Sequence, residues 1–180
     1  MRLVLCIAIA LTCGCQKSKV NSIVSGNSGD VQVLIFTSTD CPIANALVPE
    51  FKRLKEEVVA GGGSVTFVHT WENRTQVELD KHAEEYDFRP HNIVDRRHEL
   101  VNRFDVTVTP EVVVILFDKL SNPKVVYQGK VNNLFDSPGN RRERATEHYA
   151  REAIRAAVQG KTVTPRYRKP TGCLIEVNHD

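Results

Sequence analysis

The order of predicted secondary-structure elements indicates an α/β fold, a three-layer sandwich in which helices flank a central mixed β-sheet. Strands and helices alternate through the first part of residues 31–160, which is typical of a parallel sheet covered on both faces. Two consecutive strands separated by a turn follow and predict an antiparallel hairpin. With 180 residues, of which 41% are hydrophobic, the chain is long enough for one such domain with a buried core.

Each element is predicted from a local pattern. The segment VQVLIF at 31–36 is apolar and β-branched, so it predicts a buried central strand. Apolar residues at helical spacing predict one helix that begins near Asp40 and ends at Gly61. A capping box at 75–78 predicts a second helix to about Tyr86. The other predicted elements are strands at 65–68, 92–94, 111–117 and 123–128, and helices over 97–104 and 146–158.

Residues 1–14 have the pattern of an export signal. One arginine precedes an apolar run that is too short to span a membrane, and small residues follow. The end of the run, with Gly14 before Cys15, resembles a bacterial lipoprotein signal, in which a cysteine after a small residue is lipidated. The resemblance implies lipidation at Cys15 and attachment to a bacterial membrane, facing the periplasm or cell envelope. Cys13 is the alternative lipidation site, and an ordinary cleaved signal or a simple membrane anchor is the alternative to a lipoprotein.

The remaining chain divides into a tether, a domain and a tail. Residues 15–30 are polar and suit a flexible tether that begins with the lipidated cysteine. Residues 31–160 form the predicted domain, and residues 161–180 form an irregular tail that carries Cys173 and packs on it. Of the five cysteines, only Cys41 and Cys173 lie outside the signal region. Export would place both where disulfides persist.

Cys41 lies at the junction of the first strand and the first helix. Helix N–H groups and the helix dipole favour a thiolate there, although the neighbouring Asp40 opposes this effect. A thiolate is the nucleophile that attacks disulfides and peroxides. The alternative is that Cys41 is a small buried apolar residue with no chemistry.

Three segments resemble the thioredoxin superfamily and its peroxiredoxin-like branch, the alkyl hydroperoxide reductase, thiol-specific antioxidant and redoxin group. They are the strand VLIF, the following STDCPIANALVPEF, and VTP before the strand EVVVIL. The resemblance spans about residues 31–160 and implies a thioredoxin-like fold. It also implies that Cys41 is the catalytic cysteine and that Ser38 hydrogen-bonds its sulfur. The implied pocket is lined by Pro42, Thr109 and Pro110, with the Thr-Pro bond in the cis form.

The chain also departs from these families. Ala44 stands where dithiol members have a second cysteine, and Leu34 stands where peroxiredoxins have a proline. Cys173 is therefore the natural partner of Cys41, although it follows 132 residues later. Three interpretations stay open for it: a resolving cysteine in a redox cycle, one half of a static disulfide, or a free buried thiol.

These features predict a thiol-based redox protein, an oxidoreductase that acts on a peroxide or a disulfide. We expect a peroxide or protein-thiol substrate, an unidentified reductant, and the membrane as partners. We expect no cofactor and no metal, because the six histidines are scattered outside any Cys/His cluster. The net charge of +2 gives no reason to expect nucleic acid. The alternative is a redox-inactive binding or assembly module with a structural Cys41–Cys173 disulfide.

Overall fold

A six-stranded mixed sheet crosses the centre of the molecule. The computed structural model describes residues 22–70 and 74–176. The strand order is β3-β2-β1-β5-β6-β9. The strands β1, β2 and β3 are parallel, β5 is antiparallel to both β1 and β6, and β9 is parallel to β6. Their bounds are β1 Val31–Thr37, β2 Ser64–His69, β3 Asn92–Val94, β5 Glu111–Phe117, β6 Pro123–Gly129 and β9 Tyr167–Arg168.

Four short strands form two small ladders beside this sheet. One ladder pairs β4 with β10, and the other pairs β7 with β8. Their bounds are β4 Val108–Thr109, β7 Phe135–Ser137, β8 Asn140–Arg141 and β10 Cys173–Leu174. The helices are α1 Pro42–Ala46, α2 Val48–Ala60, α3 Gln76–Glu85, α4 Glu99–Arg103 and α5 Tyr149–Val158.

Side chains that alternate along β1 divide the core into two layers. Val33 and Ile35 pack in the cluster that contains buried residues of α2 and α5, whereas Leu34 and Phe36 pack in the cluster that contains Leu100 of α4. Successive side chains of a strand point to opposite faces of the sheet, so both faces are covered. This confirms the predicted α/β sandwich with a mixed central sheet.

The predicted helix from Asp40 to Gly61 is in fact two helices. The chain bends at Leu47, which ends α1 with φ −95° and ψ 0° and donates its backbone N–H to the carbonyl of Ala44. Pro49 lies in the first turn of α2, where its missing N–H costs nothing. Helical spacing is preserved across the bend, and for this reason the sequence pattern alone does not show it.

The tail is more ordered than predicted. Its strand β9 extends the central sheet, with the N–H groups of Gln128 and Lys130 donating to the carbonyls of Arg166 and Arg168. Its strand β10 pairs with β4, which immediately precedes β5. Two-residue strands carry no usable hydrophobic period, and their positions depend on backbone groups that are left unpaired at existing strands.

The described part of the predicted tether lies against the domain. Val24 is buried, the side-chain amide of Gln32 donates to the carbonyl of Ile23, and the backbones of Asp30 and Phe117 are hydrogen-bonded. The predicted signal at 1–14 and Cys15 lie outside the described residues. Within residues 22–70 and 74–176, no helix is long and apolar enough to cross a membrane.

Candidate active site: two cysteines at the start of α1

Cys41 ends the segment after β1 and caps α1. Its backbone is extended (φ −83°, ψ 108°), and its Sγ accepts a hydrogen bond from the N–H of Ala44 at 3.5 Å. Pro42 follows in the first helical turn, where no backbone N–H is needed. The sulfur thus takes the place that a Ser, Thr or Asp oxygen usually holds at a helix start. Cys41 is only 2% exposed.

The Thr109–Pro110 segment forms one wall of the site. Its peptide bond is cis, as the resemblance implies. The carbonyl oxygen of Thr109 lies 3.1 Å from the Cys41 Sγ and accepts a hydrogen bond from the thiol. The Cys41 sulfur is therefore held between a helix N–H and a strand carbonyl.

The tail brings Cys173 onto this sulfur. In the β4–β10 ladder Cys173 is opposite Thr109, and its Sγ lies 2.7 Å from the Cys41 Sγ. The preceding Gly172 passes so close to β4 that an added Cβ would lie 2.2 Å from the Thr109 carbonyl oxygen. The N–H of Ile175 donates to the carbonyl of Thr107 at 3.0 Å and fixes the far end of β10. We call Cys41 and Cys173 the thiol pair; both cysteines are free.

The two thiols have different surroundings. Burial, and after it contact with Cys41, raises the pKa of Cys173 to about 11. A hydrogen bond from the N–H of Ile43 opposes this shift. Cys173 is partly exposed, whereas Cys41 is buried beneath it. A neutral Cys173 thiol therefore covers the Cys41 sulfur.

Ser38 is close in sequence but does not have the role that the resemblance implies. Its buried hydroxyl accepts a hydrogen bond from the N–H of Asp40 at 3.3 Å. Within the described chain, the hydrogen-bond partners of the Cys41 sulfur are Ala44, Thr109 and Cys173. The expected bond from Ser38 to the sulfur is not formed, because the turn before α1 directs the hydroxyl to the backbone.

A small cavity lies beside Pro110 and is lined by residues that the sequence patterns did not single out. Pro110 lines it, as expected of a pocket residue, together with Ile43, Lys130 and Thr171. Burial lowers the pKa of Lys130. Gly172, directly before Cys173, was the one sequence signal that could have indicated the close approach of this backbone to β4.

Comparisons with known proteins give the fold but no family. No protein-family model and no curated protein sequence matches the chain. A hypothetical protein from Sinorhizobium meliloti has a similar structure, with a TM-score of 0.70, 17% identity, and coverage of 89% of this chain and 85% of that chain. An uncharacterized conserved protein from Geobacillus kaustophilus aligns with a TM-score of 0.66 and 23% identity over 86% of this chain and 80% of that chain.

A third similar structure, from Chlorobium tepidum, is assigned as the thiol:disulfide interchange protein DsbE. It aligns with a TM-score of 0.51 and 16% identity, over 78% of this chain and 83% of that chain. At these identities the likeness concerns the fold. Together with the mixed sheet and the cysteine at the start of α1, it shows that the chain has a thioredoxin-like fold.

Proposed function

We propose that the protein is a thiol–disulfide oxidoreductase in which the thiol pair alternates between two thiols and one disulfide. The observation that carries this proposal is the 2.7 Å distance between the Cys41 and Cys173 sulfurs. A disulfide requires Cα atoms within about 7 Å and side chains that face each other. Direct pairing of Cys173 with Thr109, next to the Cys41 sulfur, supports that geometry.

Cys41 is the attacking residue in this mechanism. At neutral pH the thiol of Cys173 stays protonated, because its pKa is raised to about 11. Cys41 caps a helix, and its sulfur accepts the N–H of Ala44, which favours negative charge there. A substrate reaches Cys41 when the short strand β10 moves off β4, since Cys173 otherwise covers it.

The reaction transfers two electrons in two exchange steps. The Cys41 thiolate attacks one sulfur of the substrate disulfide, the substrate S–S bond breaks, and the leaving thiolate takes up a proton. The Cys173 thiolate then attacks the Cys41 Sγ of the mixed disulfide and releases the second substrate thiol. The substrate disulfide is reduced to two thiols, and the protein dithiol is oxidised to Cys41–Cys173. An external thiol reductant restores the dithiol.

The second step is aided by the first. Contact with Cys41 is one cause of the raised pKa of Cys173, because a hydrogen bond to the Cys41 sulfur stabilises the Cys173 thiol and two neighbouring thiolates would repel each other. Once Cys41 is bonded to the substrate, this contribution disappears. The N–H of Ile43 still donates to the Cys173 sulfur and favours its thiolate. Cys173 therefore becomes more acidic when it is needed as the resolving cysteine.

The experiment is trapping of the mixed disulfide. We expect Cys173→Ser to accumulate a mixed disulfide on Cys41 when the reduced protein meets a peptide disulfide. Wild type should instead release two thiols per chain and form the internal disulfide, both measured by mass spectrometry after alkylation. Cys41→Ser is the matched control and should not react. Equal trapping on Cys173 in Cys41→Ser would contradict the assigned roles.

A redox-inactive binding module is the second candidate, and the burial of Cys41 favours it. Cys41 is 2% exposed and lies under a paired strand, which is also the expected setting of a static disulfide. A bridge that resists dithiothreitol while the protein stays folded would support this candidate. Reduction of the native protein within minutes would support cycling.

We infer that peroxide is not the preferred oxidant. The hydroxyl of Ser38, which the peroxiredoxin resemblance places on the reactive sulfur, is hydrogen-bonded to the Asp40 backbone instead. Hydrogen peroxide consumption should therefore be slow in wild type and little changed in Ser38→Ala. Fast consumption that Cys41→Ser abolishes would assign the protein to peroxide chemistry.

We also propose that the protein works outside the cytoplasm, anchored through Cys15. The support is the sequence alone: the signal at 1–14, the following small residue and cysteine, and a thiol pair suited to an oxidising compartment. Mass spectrometry of membrane-extracted protein tests this proposal, because lipidation at Cys15 adds a diacylglyceryl mass to a chain that begins there. A soluble chain that retains residues 1–14 would contradict it.

A further inference from the structure

A positively charged cavity lies at the end of α1, the helix that Cys41 caps. It has a volume of about 360 Å3 and opens where α1 meets α2, opposite the chain that leads into α5. Its charged lining residues are Glu50, Arg53, Arg144, His148 and Arg151. Three arginines face a single carboxylate, so the cavity has an excess of positive charge even with the histidine neutral. We call it the basic cavity.

Glu50 fixes the positions of the basic side chains around it but does not neutralise their total positive charge. Its side chain is 4% exposed and accepts hydrogen bonds from Arg151 at 2.6 Å and Arg53 at 3.2 Å, while its other oxygen lies 3.2 Å from the Nδ1 of His148. Arg151 also approaches the carboxylate of Glu57 at 3.5 Å. A buried carboxylate thus holds several cationic groups at the cavity wall. Such preorganised donors bind an incoming anion with little loss of side-chain freedom.

Arg144 differs from the other two arginines. Within residues 22–70 and 74–176 it forms no ion pair, and it is exposed. Its guanidinium is therefore available to a ligand in the basic cavity. An arginine fork presents two parallel N–H groups that match a carboxylate.

The basic cavity adjoins the small cavity beside Pro110. Leu47 and Asn132 line both the basic cavity and the small cavity beside Pro110. Ile43 also lines that small cavity, and its N–H donates to the Cys173 sulfur. Lys130 adds a further cationic group along this path. The two cavities therefore share a wall that lies between the arginines and Ile43, whose backbone contacts the Cys173 sulfur.

The separation suits a short peptide. The lining residue Ala46 ends α1 and follows Cys41 by five residues, which corresponds to about 7–8 Å at 1.5 Å per helical residue. An extended peptide advances about 3.3 Å per residue, so two or three residues span about 7–10 Å.

Building on the proposed thiol–disulfide exchange, we propose that the basic cavity binds a carboxylate of the substrate, an acidic peptide disulfide with Asp or Glu two or three residues from its reacting cysteine. The carboxylate positions the substrate while the two exchange steps proceed as described above. The proposal thus names the class of disulfide that the thiol pair reduces.

The test compares two peptide disulfides on the full chain. One is the symmetric disulfide of acetyl-Cys-Gly-Gly-Glu, and the other is the same disulfide with Gln and a C-terminal amide, which removes the carboxylates. Second-order rate constants are measured for single turnovers of the reduced protein. We expect the acidic disulfide to react about 10-fold faster, the size of effect given by one charge-assisted contact.

The variants locate the effect. Arg144→Gln should lose most of this preference. The matched control Lys119→Gln removes an exposed positive charge in the β5–β6 turn, at the far end of β5, and should keep the preference. Equal rates with both disulfides in wild type, or an unchanged preference in Arg144→Gln, would overturn the inference.

A second measurement separates this inference from the proposed function. The peptide acetyl-Ser-Gly-Gly-Glu has no sulfur, and its binding is followed by calorimetry in wild type and Arg144→Gln. If neither disulfide reacts, the proposed redox function fails. The inference then stands only if this peptide binds wild type and binds Arg144→Gln several-fold more weakly. Absence of binding to wild type overturns it.

Discussion

Gly172→Ala tests whether the close approach of β10 to β4 creates the thiol pair. The added Cβ would lie 2.2 Å from the carbonyl oxygen of Thr109 and 3.1 Å from the nitrogen of Pro110. Both neighbours are backbone atoms, so no side chain can move aside. An ordinary contact needs at least 3.4 Å, and β10 must therefore retreat by about 1.2 Å.

The energetic consequence follows from the ladder. A retreat of that size breaks or lengthens one or two backbone hydrogen bonds of β10, including that from Ile175 to Thr107. The loss is about 1–3 kcal/mol, which corresponds to a 5- to 150-fold lower effective concentration of Cys173 at Cys41. The core should be unaffected, because β10 lies outside the central sheet.

The assay is equilibration of the protein with mixtures of reduced and oxidised dithiothreitol. The fraction of chains with the internal disulfide, measured by alkylation and mass spectrometry, gives the effective concentration. Leu174→Ala is the matched control in the same strand, because its side chain is 78% exposed and the backbone pairing is retained. A thermal unfolding curve confirms that each variant is folded. The reasoning is refuted if folded Gly172→Ala matches Leu174→Ala within twofold.

Three further predictions concern titration and stability. The buried ring of His69 has its pKa lowered to about 4, mainly by burial, so the unfolded chain takes up a proton below pH 6.5 while the folded chain does not. Folding stability should therefore fall by about 3 kcal/mol between pH 6.5 and 4, and this loss should be smaller in His69→Gln by urea unfolding at both pH values. The rate at which iodoacetamide alkylates Cys173 should rise with pH toward its pKa of about 11, and Cys41→Ala should shift that profile to lower pH. An unchanged profile would show that Cys41 does not raise the pKa of Cys173. Glu50→Gln should cost about 3 kcal/mol of unfolding free energy, because it removes the buried negative charge that pairs with Arg151 at 2.6 Å. A cost below 1 kcal/mol in denaturant unfolding would contradict this.

Much of the fold follows from periodicity. The continuous apolar run of β1 and the capping box at Thr75 predict elements that the structure contains, and the box forms with both of its hydrogen bonds. The bend at Leu47 was not predicted, because its apolar neighbours keep the helical spacing on both sides. The strands β4 and β10 were not predicted, because each has two residues and is too short to show a hydrophobic period.

The candidate site was predicted in part. A cysteine between a strand and a helix indicated Cys41, and cysteine counting indicated Cys173, which the structure places in contact. The role of Ser38 was inferred from resemblance and depends on the path of one turn, which no residue pattern specifies. The basic cavity could not be predicted from the sequence, because Glu50 and Arg151 are far apart in the chain and meet only when α2 packs against α5.

The ribosome synthesises the two cysteines of the thiol pair at different times. Cys41 belongs to the first strand–helix junction of the domain, whereas Cys173 follows α5, the last helix that the structure describes. A chain that emerges N-terminus first therefore exposes Cys41 long before its partner exists. During that interval any other thiol or disulfide competes for it, and the pair closes only on a nearly completed domain. Pulse-labelling of nascent chains should find Cys41 open to alkylation until residues beyond 173 have emerged.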